Sequence, residues 1–192
     1  MTNTVGGDGG FTTTTRTING QPAVESDGTQ SLEFSTGMMT GGDSDFYIAM
    51  MVQQDSPEST HQYCFYYGTG ASRQGVYTGV NAAGSEPEMG FHSDAETWNG
   101  TATSADTPLL LEIAHDASAS QINIWVNAEA DPNNPHTLGG DPNVSQSLRY
   151  LGRSFNGGNM NGLYGAFLHR LTIPTAAEQA DIRTYMDRYG YR

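Results

Sequence analysis

The stretch from Ser154 to the C-terminus constrains the fold more than any other part of this chain. It carries a Gly/Asn turn, one apolar strand over 163–168, Pro174, and then a single short helix that ends the protein. Thr175 and Glu178 stand in the T-x-x-E spacing of a capping box. In that motif the Thr hydroxyl accepts the N3 amide and the Glu carboxylate accepts the cap amide. Ile182, Tyr185, Met186 and Tyr189 recur at i, i+3, i+4 and i+7, which makes one helix face apolar. Gly190 falls where a left-handed residue closes a helix. The pattern predicts an amphipathic helix over 175–189 that buries Tyr185, Met186 and Tyr189 against a sheet edge. No helix-period pattern precedes residue 175.

Everything upstream reads as short strands between turns, at 32–35, 45–53, 61–67, 75–80, 88–92, 109–115, 121–127 and 148–152. The clearest hairpin joins 109–115 to 121–127 around a turn at 116–120. In its second strand Ile122, Ile124 and Val126 alternate with Asn123, Trp125 and Asn127, the mark of a half-buried strand. Strict alternation over 61–67 sets Cys64 beside Gln62 and Tyr66. The 24 Gly and 8 Pro supply the turns, and charged residues make up only 15%. Two antiparallel sheets in one domain of 192 residues follow. Beyond Met1, residues 1–16 hold only Val5 and Phe11 as large apolar side chains, so they read as a flexible arm ahead of a sandwich over 17–192.

Several of these motifs have counterparts elsewhere. Asn161-Gly162, the strand that follows, Leu171, Thr175 with Glu178, and Tyr189-Gly190 resemble the end of a concanavalin A-like, laminin-G-like jelly-roll domain. Ile18-Asn19-Gly20-Gln21-Pro22-Ala23 followed by Ser26-Asp27-Gly28-Thr29 is similar to the entry of the same domains. The resemblance spans nearly the whole chain and extends to domains found in structural proteins of tailed phages. It implies an all-β, two-sheet antiparallel jelly-roll sandwich with one short C-terminal α-helix. Ala166 departs from the pattern, because many relatives carry a Glu there. A fold of this kind hosts many functions, so the function has to come from a site.

Charge removes some classes of function. Against 21 Asp and Glu the chain sets 8 cations, all of them Arg, for a formal net charge of −13. Nucleic acid is disfavoured, since phosphate contacts need clustered Lys or Arg, and an anionic membrane surface would repel such a chain. No apolar run reaches the ~18 residues of a membrane span. The N-terminal residues have neither a basic n-region nor an apolar h-region, so no secretory signal is expected. Cys64 is the single cysteine and reads as a buried small residue.

Three constellations could carry chemistry. Trp98, with Asp94 and Asn99 in the long loop over 93–108, has the aromatic platform and hydrogen-bonding partners of a sugar site. The competing reading makes Trp98 a plug over a sheet edge. Asp43 and Asp45, or Asp131 and Asp141 in the long loop over 128–147, could hold Ca2+ through oxygen ligands. Asp and Asn beside Gly and Pro are also ordinary turn formers. Glu129-Ala130-Asp131 approaches the Glu-x-Asp-x-x-Glu strand of jelly-roll glycoside hydrolases, but Asn134 stands where the second Glu is needed. Trp125, Tyr66 and Tyr67 lie within strands, where packing accounts for them.

The sequence therefore points first to a non-enzymatic virion structural protein. In that reading it is a capsid decoration, fibre or spike protein at the virion surface. It would bind a major capsid or other virion protein, with self-association into a homo-oligomer adding avidity. The alternative is a lectin-like carbohydrate-binding module for host glycans, and a glycoside hydrolase comes last.

Overall fold

The computed structural model describes residues 12–28, 32–33, 44–55, 62–69, 74–80, 87–91, 105–137, 149–152 and 160–192. Its strands are β1 Thr12–Ile18, β2 Gln21–Asp27, β3 Leu32–Glu33, β4 Phe46–Gln54, β5 Gln62–Thr69, β6 Gln74–Val80 and β7 Pro87–Phe91. They continue with β8 Pro108–Asp116, β9 Gln121–Val126, β10 Glu129–Ala130, β11 His136–Thr137, β12 Arg149–Leu151 and β13 Asn161–Arg170. Helix α1 spans Ala176–Met186 and runs into a 3-10 turn at Asp187–Tyr189. One sheet has the order β1-β2-β13-β4-β8-β9-β10, with β11 also on β9; the other has the order β3-β12-β5-β6-β7. All described pairings are antiparallel.

The central strands of the large sheet explain the layering. In β4, Phe46, Ile48, Met50 and Val52 join Phe65, Leu111, Ile113, Ile124 and Leu151 in the core between the sheets. The alternate residues Tyr47, Ala49 and Met51 pack with Leu110, Ala114, Met186 and Tyr189 beneath the helix. Both faces of β4 are thus covered, which is why it reads as a continuous apolar run rather than an alternating one.

The helix ends are as the sequence predicts. The Glu178 amide donates to Thr175 Oγ1 at 3.3 Å, and the Thr175 amide donates to Glu178 Oε2 at 2.8 Å. Gly190 is left-handed, with φ of 75°. Tyr185 is a correction: it is 52% exposed, and its place beneath the helix is taken by Tyr191, together with half-buried Ile182. The Tyr185 ring instead lies under the Arg188 guanidinium, 3.7 Å from ring centroid to Cζ. Fully buried Glu112 pins the helix to β8. Its carboxylate accepts from Arg183 Nε at 2.9 Å, Gln179 Nε2 at 3.1 Å and Tyr47 Oη at 2.5 Å.

The arm expected over 1–16 is also corrected. Residues 12–16 lie in β1, paired to β2 through the turn at Asn19 (φ 49°) and Gly20 (φ 74°). Arg16 holds the hairpin to the body by bonds to Glu25 at 2.6 Å and Asp55 at 2.7 Å. Strand pairing with β2, burial of Ile18 and the Arg16 ion pairs hold a segment poor in large apolar residues; residues 1–11 lie outside the described residues.

Candidate functional site

Most of the residues singled out from the sequence are either engaged in structure or outside the described residues. Trp98, Asp94, Asn99, Asp43 and Asp141 belong to the latter group. Asp45 is exposed, and its Oδ1 accepts the Ala117 amide at 2.9 Å, so it braces the β8–β9 turn. Asp131 is buried, accepts the Asn133 amide at 2.7 Å and lies 3.4 Å from His136 Nε2. Asn134 completes that turn: its side-chain amide accepts from the Ile124 N–H at 3.0 Å and donates to the Ile124 carbonyl at 2.7 Å. It fills a gap in the ladder between β10 and β11 along the edge of β9. The first part of the long 128–147 connection is therefore a strand-like flap on β9, and Asn134 serves that flap. Among the described residues, no group of three or more His, Cys, Asp or Glu could hold a metal ion.

Cys64 is fully buried in the inter-sheet core, with its thiol pushed up to about 12 by desolvation, so it is no nucleophile. A bulge there shifts the β5–β6 register between Tyr63 and Phe65. Cys64 and Phe65 both enter the core. The alternation that grouped Cys64 with Tyr66 is broken at this point.

Two surfaces remain. The first is a groove of about 920 Å³ between α1 and strands β2 and β13, lined by Pro22, Phe167, Leu168, Ile182, Tyr185 and Arg188 among others. One face of its exposed aromatic ring, Tyr185, already carries the Arg188 guanidinium.

The second is the face of the five-stranded sheet that the sequence reading missed. Phe65 and Leu151 are register partners and both are in the core. One residue along, Tyr66 pairs with Tyr150 on β12 and with Tyr77 on β6. Tyr150 in turn pairs with Glu33 on β3, and Tyr77 with Gly90 on β7. Direct partners share a face and successive residues alternate. A single register row Glu33–Tyr150–Tyr66–Tyr77–Gly90 therefore crosses all five strands, one residue out of phase with the core pair Phe65–Leu151. The adjoining rows on this face hold Tyr63, Gly79 and Glu88 on one side, Gly68 and Gly75 on the other. The register positions of β6 and β7 in phase with Phe65 are Val76, Thr78, Val80, Met89 and Phe91. This separation was latent in the separate strands as Gly-Tyr-Gly against Val-Thr-Val. Only the pairing aligns the three tyrosines.

No family model matches the chain, and neither does any curated protein sequence. Solved structures do match. Domain 4 of AbnA, a GH43 extracellular arabinanase from Geobacillus stearothermophilus, in complex with arabinotriose, is similar with a TM-score of 0.72 at 13% identity, over 94% of this chain and 85% of that one. The CBM40 of the Ruminococcus gnavus IT-sialidase, bound to α2,3 sialyllactose, gives 0.58 at 14% identity, over 80% and 95%. The native heptameric SAP-like pentraxin from Limulus polyphemus gives 0.56 at 11%, over 84% and 81%. The chain has an antiparallel jelly-roll β-sandwich fold with one short C-terminal helix. At these identities the likeness reaches the fold and stops there.

Proposed function

We propose that this chain is a carbohydrate-binding domain that cleaves no glycan, and that it binds on the outward face of its five-stranded sheet. The observation that carries the reading is the row of three tyrosines on adjacent strands. A tyrosine offers an apolar ring face and a hydroxyl, which suits a sugar whose ring faces are apolar and whose edges are not. The neighbours in complex with arabinotriose and sialyllactose support the same reading. Nothing among the described residues or these neighbours favours a capsid partner, so the alternative drawn from the sequence displaces virion attachment.

Among the described positions of this sheet, the spacing of the Glu positions argues against hydrolysis. Glu33 and Glu88 stand on its two edge strands, four strand spacings or about 19 Å apart. Paired-carboxylate cleavage needs them within about 5–10 Å.

A glycan array and affinity electrophoresis in soluble polysaccharides test the proposal. The wild-type protein is retained by at least one glycan. Tyr66→Ala loses that retention, while Tyr66→Phe, which keeps the ring, preserves most of it. An array on which the wild type binds nothing overturns the reading, as does Tyr66→Ala binding normally.

A further inference from the structure

We infer that the groove beside helix α1 is a second binding site, separate from the sheet positions above. Its ligand is an amphiphilic carboxylate, a small molecule with an apolar body and one anionic end. The hollow begins with a bulge in β13. Tyr164 pairs with Val52 and Phe167 with Met50, so Gly165 and Ala166 together stand opposite the single Met51. The extra residue of a bulge breaks the regular alternation of a strand. Here both residues turn toward the helix: a Cβ on Gly165 would meet the Tyr189 ring, and Ala166 packs against the cluster beneath the helix. Neither has side-chain atoms beyond a methyl to fill the space against α1. What is left is the groove of about 920 Å³, a volume in the ordinary range of ligand sites.

The walls decide the class of ligand. Ala166 and Leu168 on β13 and Ile182 and Met186 on α1 line the groove, and all four are buried or half-buried apolar side chains. Sugar hydroxyls pressed against them would lose water without gaining partners, whereas an alkyl or aryl body gains from the burial. The polar groups stand on the exposed rim. Asp181, Tyr185 and Arg188 follow at i, i+4 and i+7, about 10 Å from first to last along the helix. Arg188 sets the anionic end. Arg16, Arg170 and Arg183 each pair with a carboxylate, at 2.6, 3.0 and 2.9 Å. Arg188 is held by tyrosines instead: its Nη2 donates to Tyr185 Oη and, at 3.2 Å, to Tyr189 Oη. Its described hydrogen bonds use only Nη2, so Nε and Nη1 keep donors for an incoming carboxylate. A guanidinium already fixed against two rings loses little freedom on binding. Asp181, at the far end of the rim, opposes a second anion and so limits the ligand to one.

Calorimetric titration of the full chain with decanoate and with butyrate, which share a head and differ in body, tests this. Decanoate binds, and butyrate binds more weakly by over about tenfold, because its shorter chain buries less apolar surface. Ala166→Leu, which fills the hollow, removes decanoate binding. Arg188→Gln weakens it by on the order of tenfold. Arg170→Gln, whose guanidinium serves Glu178, leaves it unchanged. Thermal melts confirm that each variant is folded. Amide chemical-shift changes in the wild type, a measurement that needs no variant, fall on residues 165–168 and 181–189. The inference is overturned if decanoate does not bind or butyrate matches it. Normal binding by folded Ala166→Leu or Arg188→Gln, or shift changes confined to other residues, overturns it equally. A glycan that displaces decanoate would assign the groove to sugar and sink the inference. None of these failures touches the sheet reading, which rests on Tyr66→Ala.

Discussion

Glu112 has the most demanding surroundings of any residue beneath the helix. A carboxylate with no solvent exposure survives there only because Arg183, Gln179 and Tyr47 all donate to it. The burial and that carboxylate together raise the Tyr47 hydroxyl well above the ordinary tyrosine range. Removing one partner of a buried ion pair leaves the other uncompensated, at a cost of roughly 3–5 kcal/mol. Arg183 keeps some solvent contact, so Glu112→Gln should fall toward the lower end of that range in urea unfolding. A loss below about 1 kcal/mol would show that the network contributes little. His169 makes a second residue-scale test. Burial lowers its pKa from 6.5, so the folded state favours the neutral ring. The unfolded chain then binds more protons, and the stability from the neutral ring is complete above pH 6.5 and lost as pH falls below it. Between pH 7 and 5, wild type should therefore lose stability relative to His169→Gln, read as a shrinking or reversed gap in melting temperature. A gap that does not change with pH overturns this.

At the scale of elements, the C-terminal helix and the N-terminal hairpin act as one assembly. The Asn19 side chain at the hairpin turn donates to the Arg188 carbonyl at 2.9 Å. Ile18 at the end of β1 is fully buried with Tyr189 and Tyr191. Gly165 on β13 is where the Tyr189 ring comes closest: a Cβ there would meet its Cε1 at 2.5 Å. Deleting residues 175–192 strips Met186, Tyr189 and Tyr191 from the sheet and leaves Glu112 without Arg183. Each large buried side chain is worth roughly 2–5 kcal/mol, against a whole margin of about 5–15 kcal/mol. The truncated chain should show no cooperative thermal transition. If it melts within a few degrees of the intact protein, the helix is an accessory and not part of the core.

Across the whole molecule, the two sheets have different tasks. The central strands β4 and β8 of the large sheet are buried on both faces, between the sandwich core and the helix, whereas the tyrosine row of the small sheet falls one residue out of phase with its core positions. The wide separation of Glu33 and Glu88 makes a specific prediction for that face. Prolonged incubation with arabinan or with any polysaccharide the protein retains should release no new reducing ends. Release that disappears on neutralising either Glu would show that the domain is an enzyme.

The sequence by itself determined the features that depend on neighbours along the chain. The capping box at Thr175 and Glu178, the left-handed Gly190, the β8–β9 hairpin and the inward alternation of Ile122, Ile124 and Val126 need only local geometry. Burial of Met186 and Tyr189 followed from helical periodicity, but Tyr185, on the margin of the same stripe, did not, because the helix angle against the sheet sets where the stripe ends. β1 escaped because it is rich in Thr and poor in large apolar residues, and because the Asp55 that its Arg16 pairs with lies far along the chain. The candidate site was hidden for the same reason. Residues 63, 66, 77 and 150 have no periodic relation, and a bulge at Cys64 breaks the one alternation that hinted at their face. Strand pairing sums many hydrogen bonds between distant segments, and only that sum fixes which tyrosine stands beside which.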